Sequence, residues 1–293
     1  MSLSKIFQNK PLVISCELFP PKTDKGVTNL LANVEKLMTF GPDFLTCTYG
    51  AGGSSQSRTL EILSKVKAKF DLPVASHLTL VGSTRDDLRD YLNRAKQSGI
   101  DYIVALRGDP PEGAEKFEQF EGGLRYANEL VEMIKSEYDQ FSIAVAGYPE
   151  VHQEAPNAEV DLENLKRKVD AGSDVIITQL FFDNVDFLRF RDRCRDAGIT
   201  IPIIPGIMPV TNFSQVKRIA SLCGAKLPKE FVNQLSAADT PENQFEIGVR
   251  HAIDQIANLI DEGTQGLHFY VLNKSNATSA ILKAAEITSR LPS

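Results

Sequence analysis

The feature that most constrains this chain is a repeated order of elements, in which a short apolar run is followed by a longer amphipathic segment. Eight such runs, rich in Val, Ile and aromatic residues, lie at 12–19, 44–50, 74–80, 102–109, 142–149, 174–182, 201–209 and 267–273. Apolar runs of this length are typical of strands that are buried on both faces, as in parallel sheets. They recur about every 30 residues, except across a longer seventh interval. The order predicts eight parallel strands joined by helices.

The segments between these runs have the periodicity of amphipathic helices. One example is "TRDDLRDYLNRAKQSG", which ends at a glycine suited to a helix C-terminus. The seventh interval is long enough for two or three helices. Eight strand-and-helix units in 293 residues match the size and order of a (β/α)8 TIM barrel. The sequence shows no linker or change of composition, so we expect a single catalytic barrel over residues 1–293, without a regulatory domain.

A doubly wound open sheet is the competing α/β architecture. Its nucleotide fingerprint would follow the first strand, but that position carries "FPPKT". The glycine cluster "GAGGSS" at 50–55 follows the second strand and lacks the third glycine of GxGxxG. These two observations favour the barrel.

Charge and cysteine usage exclude several classes of protein. The chain has 32 Lys and Arg against 38 Asp and Glu, for a net charge of −6, and no basic block that could neutralise a row of phosphates, which argues against nucleic acid as a partner. The four cysteines, Cys16, Cys47, Cys194 and Cys223, form no CxxC pair and are expected to be reduced thiols. The sequence has neither a signal-peptide core nor 18 consecutive apolar residues. We therefore expect a cytoplasmic protein without a membrane partner.

Function in such a barrel is expected where each strand ends, because the loops that follow the strands converge on one face. Seven of the eight predicted strands have polar or ionisable residues near this end: Glu17, Thr48, His77, Arg107, Asp109, Tyr148, Gln179, Asn273 and Lys274. Each residue alone could instead cap a helix or bind a backbone amide, and His77 could be a core histidine. The recurrence of polar residues at equivalent depth in six consecutive units favours a shared site.

We call the end of the barrel where the strands end the mouth. The kinds of residue predicted there limit the reactions that the protein could catalyse. The sequence contains no HxH, HExxH or GxSxG motif, and no lysine lies inside a predicted strand. A metal hydrolase and a Schiff-base aldolase are therefore poorly supported, whereas a Ser/His/Asp triad stays open. These residues suit a bound organic cofactor, because they include one acid in an apolar strand, Glu17, a second carboxylate, Asp109, and several neutral hydrogen-bonding groups.

The helix after the fifth strand adds a further indication. Asp161, Asn164 and Lys168 form one narrow stripe at helical spacing, and the preceding loop supplies Tyr148 and His152. On periodicity alone, a solvated helix face is the favoured explanation of the stripe. A ligand is favoured only if the loop folds inward.

Seven motifs together resemble the methylenetetrahydrofolate reductase family: "CELFPPKT", "TCTYGAGG", "SHLTL", "ALRGDPP", "AGYPEVHQEAP", "DLENLKRKVDAGSDVIITQLFFD" and "IIPGIMPVTNF". The likeness extends from about residue 12 to about residue 275. It implies an FAD-dependent barrel, similar to the bacterial short form, that reduces 5,10-methylenetetrahydrofolate to 5-methyltetrahydrofolate. It further implies NADH or NADPH as electron donor, ping-pong hydride transfer through the flavin, and a homo-oligomer.

The resemblance also implies roles for individual residues. Glu17 is the expected general acid, Asp109 the carboxylate that holds the pterin, and Gln179 a contact to folate and nicotinamide. The residues implied for FAD binding are Thr48, Tyr49, Ala51, His77, Arg107, Gly108, Asp109, Ala127, Tyr148, His152, Ala155, Asp161, Asn164, Arg167 and Lys168. Gln215 is implied as a substrate contact.

Two substrate-side positions depart from the family pattern. Ile219 stands where bacterial relatives often have an aromatic residue that stacks on a ligand. Lys274 stands where the family commonly has arginine, so the charge is kept but the planar fork suited to a carboxylate is lost. We expect weaker stacking at Ile219, or stacking supplied from elsewhere.

The expected chemistry explains an acid inside an apolar strand. Burial raises the pKa of a carboxyl group because low-dielectric surroundings disfavour its charged form, and a proton then stays available near neutral pH. The methylene bridge of the folate accepts hydride poorly until one amine nitrogen is protonated and leaves. A non-redox pterin- or folate-binding barrel of a methyltransferase system is the main alternative, and a flavin barrel that oxidises proline-like amines is a third.

Overall fold

The structure is a computed structural model that describes residues 2–49, 56–109 and 117–284. Eight strands form one sheet: β1 (Val13–Leu18), β2 (Phe44–Cys47), β3 (Val74–Thr79), β4 (Tyr102–Leu106), β5 (Ser142–Gly147), β6 (Val175–Leu180), β7 (Ile203–Ile207) and β8 (Gly266–Tyr270). The described helices are α1 (Leu3–Asn9), α2 (Asp24–Met38), α3 (Gln56–Phe70), α4 (Arg85–Gln97), α5 (Ala127–Glu137), α6 (Ala158–Asp170), α7 (Asn184–Asp196), α8 (Phe213–Cys223), α9 (Lys229–Ala237), α10 (Pro241–Asp261) and α11 (Asn276–Ala284).

The strands close into a barrel in sequence order, and all neighbouring pairs are parallel. The predicted (β/α)8 barrel is confirmed, with each strand inside its predicted run or displaced from it by one residue. Side chains alternate along the strands as the pleat requires. In β1, Ile14, Cys16 and Leu18 pack outward against the helices, while Val13 belongs to a separate buried cluster inside the barrel.

Several helices begin at side chains that satisfy their free backbone N–H groups. At α4 the Thr84 hydroxyl accepts from the Asp87 backbone at 3.1 Å, and the Asp87 carboxylate accepts from the Thr84 backbone at 2.8 Å. This reciprocal pair is a capping box. The local sequence therefore fixes where the helix starts, and hence the length of the loop that follows β3.

Helix α1 closes the end of the barrel where the strands begin. Its residues Leu3, Ile6 and Phe7 are buried in one cluster with the first inward-facing side chains of the strands, including Phe44. The Leu3 backbone N–H donates to the Ser142 hydroxyl at 3.1 Å. An apolar plug therefore fills this end, and a ligand site can form only at the opposite mouth.

The interval after β7 contains α8, α9 and α10, in agreement with the predicted two or three helices. Gly248 allows α10 to cross the segment after β7 closely, because a Cβ there would lie 1.9 Å from the Val210 carbonyl oxygen. Any larger residue would push α10 away. The four cysteines are free thiols, as expected, and within the described ranges no helix is both long enough and apolar enough to cross a membrane.

The plug gives a stability prediction. Phe7→Ala should lower the free energy of unfolding by about 3 kcal/mol, because it removes a buried ring that lies against Gly266 at the start of β8. Phe120→Ala is the matched control, since Phe120 is 49% exposed and should change stability by less than about 0.5 kcal/mol. Urea denaturation measures both values. Equal effects of the two substitutions would show that α1 does not contribute as a plug.

Candidate active site

Glu17 lies inside the barrel near the carboxyl end of β1. Its backbone is in register with Thr46 of β2 and Tyr270 of β8, and the residue is only 6% exposed. The inward positions of β1 change from apolar Val13 through Ser15 to Glu17. The barrel interior is therefore apolar beside α1 and polar at the mouth.

Two histidines face the Glu17 carboxylate. The His77 Nε2 atom lies 3.3 Å from Glu17 Oε2, and the His268 Nε2 atom lies 3.7 Å from the same oxygen. Burial lowers the pKa of His77, although the charge of Glu17 acts in the opposite direction. His77 is therefore mostly neutral at pH 7. The Ser15 hydroxyl lies 2.8 Å from His268 Nδ1, and His268 Nε2 is buried without a hydrogen-bond partner among the described residues.

The charges of Glu17 and Asp109 both act on Cys223, and each acts on one tyrosine. Burial raises the pKa of Cys223, and the charges of Asp109 and Glu17 raise it further. Burial also raises the pKa values of Tyr148 and Tyr270, with additional contributions from Asp109 and Glu17 respectively. The structure therefore brings both predicted carboxylates to one mouth, where Glu17 is buried and Asp109 is exposed.

Arg107, beyond the end of β4, is held by a carboxylate that the sequence analysis did not identify. Its two terminal nitrogens each lie 2.6 Å from an oxygen of Glu154, and its guanidinium lies over the Phe117 ring at 5.0 Å. The Arg107 Nε atom donates to the Gly108 carbonyl at 3.2 Å. The ion pair raises the pKa of Arg107 and lowers that of Glu154. Gly108 has φ of 91°, and a Cβ there would lie 2.6 Å from Val81.

The loop from 148 to 157, which we call the β5 loop, folds over the mouth. The rings of Tyr148 and His152 meet edge to face at 4.6 Å. The His152 backbone N–H donates to the Asp161 carboxylate at 3.1 Å, and the Glu154 backbone N–H donates to His152 Nδ1 at 3.1 Å. The loop thus folds inward. Under this condition, the sequence analysis favours a ligand as the explanation of the α6 stripe.

The residues of the predicted α6 stripe differ in burial in the structure. Lys168 donates to the Ala146 carbonyl of β5 at 2.6 Å, and burial lowers its pKa to about 8, although Asp161 partly opposes this shift. Asp161 and Lys168 therefore face the barrel. Asn164 and Arg167 are exposed and bond to each other at 3.3 Å. Helix α6 therefore presents one cationic group, Lys168, beside the β5 loop and a second, Arg167, at the surface.

Gln179 lies at an irregularity in β6. The pairing of β6 with β7 shifts register between Ile177 and Leu180, and the Gln179 side chain is half-buried, with Oε1 accepting from the Leu180 backbone at 2.9 Å. Such bulges re-aim side chains near functional sites. The Tyr270 hydroxyl donates to the Thr178 carbonyl at 2.8 Å and covers the same region.

The remaining predicted residues lie around the rim. Gln215 is exposed at the start of α8, and Ile219 is half-buried beside a cluster that includes Met208 and Tyr270. Lys274 is exposed and follows Asn273, whose side chain bonds to both the N–H and the carbonyl of Phe19 at 2.8 and 2.7 Å. Four further predicted residues, Thr48, Tyr49, Ala127 and Ala155, are partly buried, and Ala51 lies outside the described residues.

Sequence reasoning missed Ser15, His268, Tyr270 and Glu154. The signal for Ser15 was present, since alternate residues of one strand face the same side and Ser15 shares the side of Glu17. The sides that His268 and Tyr270 face depend on the register of β8 with β1. Glu154 gave no signal, because a glutamate in a loop is usually solvated. Among the described residues, no group of three His, Cys, Asp or Glu side chains is placed to hold a metal ion.

Comparison of the sequence with known proteins finds one family over nearly the whole chain. The sequence profile of the methylenetetrahydrofolate reductase family matches residues 2–286. A 5,10-methylenetetrahydrofolate reductase of Escherichia coli is 42% identical over 269 residues, which cover 92% of this chain and 88% of the relative. Methylenetetrahydrofolate reductase (NADH) 1 of Arabidopsis thaliana is 39% identical over 291 residues, covering 96% of this chain and 49% of the relative. The chain thus spans about half the length of the plant relatives that it matches.

Solved structures show the same fold at low sequence identity. A Clostridium thermocellum protein that binds two copies of 5-methyl-5,6,7,8-tetrahydrofolic acid matches with a TM-score of 0.67 and 14% identity, over 99% of both chains. A dihydropteroate synthase from Xanthomonas albilineans matches with a TM-score of 0.54 and 15% identity, over 96% of this chain and 94% of the synthase. Together with the family profile and the identities above, the chain belongs to the methylenetetrahydrofolate reductase family.

Proposed function

We propose that this protein reduces 5,10-methylenetetrahydrofolate to 5-methyltetrahydrofolate with NADH or NADPH as electron donor and FAD as bound cofactor. The observation that carries the proposal is a buried glutamate at the mouth of the barrel, in contact with His77, in a chain of this family. From the resemblance we also propose a homo-oligomer, and from the sequence analysis a location in the cytoplasm.

The residues at the mouth fit FAD. Its pyrophosphate is anionic, and the mouth offers Arg107 and Lys168 as partly buried cations. The perpendicular rings of Tyr148 and His152 supply a surface for flat apolar groups. When bound, FAD would supply the hydride carrier, in a ping-pong sequence from nicotinamide to folate. The residues that would hold it are those implied by the resemblance, among which Asp161 and Lys168 are positioned against β5 and its loop.

Glu17 would protonate the amine nitrogen that leaves when the five-membered ring of the folate opens. We assign the Ser15 hydroxyl as a donor to the Leu267 carbonyl, at 3.5 Å, which places the His268 proton on Nδ1. The lone pair of His268 Nε2 then faces Glu17. His77 and His268 would position the Glu17 carboxyl group for this transfer.

Other residues at the mouth would act on the opened folate. The ring-opened iminium is cationic, so the exposed carboxylate of Asp109 would stabilise it electrostatically. Gln179, whose amide is half-buried at the bulge of β6, would contact folate and nicotinamide in turn. Gln215, Ile219 and Lys274 would contact these substrates.

Anaerobic titration of the flavin-loaded protein tests this function. NADH or NADPH should bleach the flavin absorbance, and methylenetetrahydrofolate should restore it with formation of 5-methyltetrahydrofolate. The comparison of the two nucleotides gives the preferred donor. A purified protein that shows no flavin spectrum, even after addition of FAD, would support the non-redox folate-binding barrel instead.

The role of Glu17 predicts a split between the two half-reactions. Glu17→Gln should slow reoxidation of the reduced flavin by methylenetetrahydrofolate about 100-fold or more, since the variant cannot donate the proton. Flavin reduction by NADH or NADPH should change less than about 3-fold, because that step needs no acid. Stopped-flow absorbance measures both rates, with Glu132→Gln on the exposed face of α5 as control. Similar losses in both half-reactions would exclude the acid role.

The lowered pKa of Lys168 predicts how FAD affinity depends on pH. Bound phosphates stabilise the protonated amine and raise its pKa above the value of about 8 in the free protein. Affinity should therefore be constant below pH 8 and should fall above it, by at most about 10-fold per pH unit. Lys168→Met should weaken binding at pH 7 about 10-fold to 100-fold and flatten this dependence.

Fluorescence titration of the apoprotein with FAD between pH 7 and pH 10 measures the effect. Lys166→Met is the matched control, because Lys166 lies on the same helix and pairs with Asp170. The control should keep the wild-type pH profile. A Lys168→Met profile identical to that of wild type would contradict the prediction.

A further inference from the structure

Two segments at the mouth are bonded to each other although the barrel does not require it. The β5 loop and the end of α8 follow strands that are separated by β6. The Gln153 side-chain amide donates to the Leu222 carbonyl at 2.8 Å. The Glu150 carboxylate accepts from the Lys226 backbone N–H at 3.0 and 3.1 Å. These contacts cross above the end of β6, where Gln179 lies.

The end of α8 is shaped to receive the loop. Gly224 ends the helix with φ of 71°, and a Cβ there would lie 2.8 Å from Gln153 Cγ. The glutamine side chain therefore lies flat against the glycine. Leu222 is in the last helical turn, where carbonyl groups lack a partner within the helix. Gln153 supplies that partner from 69 residues away in the chain.

The contact of Glu150 is largely shielded from water. Its side chain is 7% exposed, whereas that of Lys226 is 78% exposed. Burial raises the pKa of Glu150, and its hydrogen bond with the Lys226 backbone acts in the opposite direction. A charged group kept in such a position needs its hydrogen-bond donor. The donor here is the backbone just beyond α8, so the position of that backbone is tied to Glu150.

The loop between these two side chains has an unusual backbone. Val151 has φ of 74°, which a β-branched residue rarely adopts. Such conformations persist where surrounding contacts determine them. Glu150 and Gln153 flank Val151 and are both anchored on α8, so they account for the local geometry.

We propose that Glu150 and Gln153 are positioning residues that join the cofactor-binding loop to α8, so that filling the cofactor site orders the helix that meets the substrates. The inference rests on the proposed function, since the β5 loop carries Tyr148 and His152 for FAD while α8 carries Gln215 and Ile219 for folate and nicotinamide. The helix end lies at the mouth, because Cys223 is close enough to sense the charges of both Asp109 and Glu17.

The energetic consequence is positive coupling between the two sites. FAD that contacts the β5 loop restricts it, and the bridge passes this restriction to α8. A substrate that binds an ordered helix then loses less conformational freedom. Because such coupling is reciprocal, bound folate must also strengthen FAD binding.

Hydrogen–deuterium exchange with and without added FAD tests the inference. In the wild-type protein FAD should slow exchange in peptides from both 148–157 and 213–226. Gln153→Glu keeps the size of the side chain and removes the donor, and Gln153 is exposed, so the variant should fold. In this variant FAD should still protect 148–157, but protection of 213–226 should fall about 3-fold to 10-fold, as expected for the loss of one hydrogen bond.

Steady-state kinetics provide a second measurement. Gln153→Glu and Glu150→Ala should each raise KM for methylenetetrahydrofolate about 3-fold to 10-fold, with kcat and the Kd for FAD changed less than about 2-fold. Gln140→Ala and Glu132→Gln, at exposed positions away from the mouth, should behave as wild type in both assays.

The outcomes separate the two proposals. One outcome overturns the coupling inference while the proposed function stands. In it, FAD protects the β5 loop from exchange, and it protects 213–226 in the Gln153→Glu variant as fully as in the wild-type protein. If FAD neither binds nor protects the loop in the wild-type protein, the proposed function fails and the inference fails with it.

Discussion

The contact between Glu17 and His77, at 3.3 Å, lies where the barrel interior changes from apolar to polar. A carboxyl group at this depth is costly unless polar partners surround it. The closed sheet supplies them, because register brings His268 opposite Ser15 and Tyr270 opposite Glu17. The plug of α1 keeps the other end apolar, so the polar groups can reach a ligand only through the mouth. The closure of the barrel therefore also determines where the acid lies and from which side a ligand can reach it.

Charge at the mouth is balanced in pairs. Arg107 is matched by Glu154, and Lys168 lies within the influence of Asp161. Arg107 and Glu154 join the loops after β4 and β5. Asp161 and Lys168 both lie on α6 and bond to the His152 backbone and to the Ala146 carbonyl of β5, so the two loops and α6 form one connected wall. A cation held by a carboxylate is already oriented before any ligand arrives, which lowers the entropy that a bound phosphate must overcome. The same carboxylates limit affinity, because part of each positive charge is already compensated.

Much of this arrangement could be predicted from sequence. The eight apolar runs predicted the barrel, because strands buried on both faces need continuous apolar residues, whereas amphipathic helices have apolar residues at a different spacing. Glu17 was found because a carboxylate interrupts such a run just before two prolines. His268 was not found, since its neighbours in "LHFYVLN" are apolar and the side that it faces depends on register with β1. Glu154 and Gln153 were missed for a related reason, because their partners lie 47 and 69 residues away.

Contacts between distant residues also decide how the mouth closes between β8 and β1. The Asn273 side chain pairs with both backbone groups of Phe19, which is 254 residues away, and so continues the sheet beyond its last regular strand pair. Leu272 and Asn273 both have positive φ, of 48° and 57°. An asparagine tolerates that conformation through local hydrogen bonds, whereas a leucine adopts it only under constraint. The pairing with Phe19 is that constraint, and it sets the direction in which Lys274 leaves the barrel. Lys274 therefore extends from a backbone that is already fixed. Its difference from the arginine that the resemblance implies at this position is one of the shape of the cationic group.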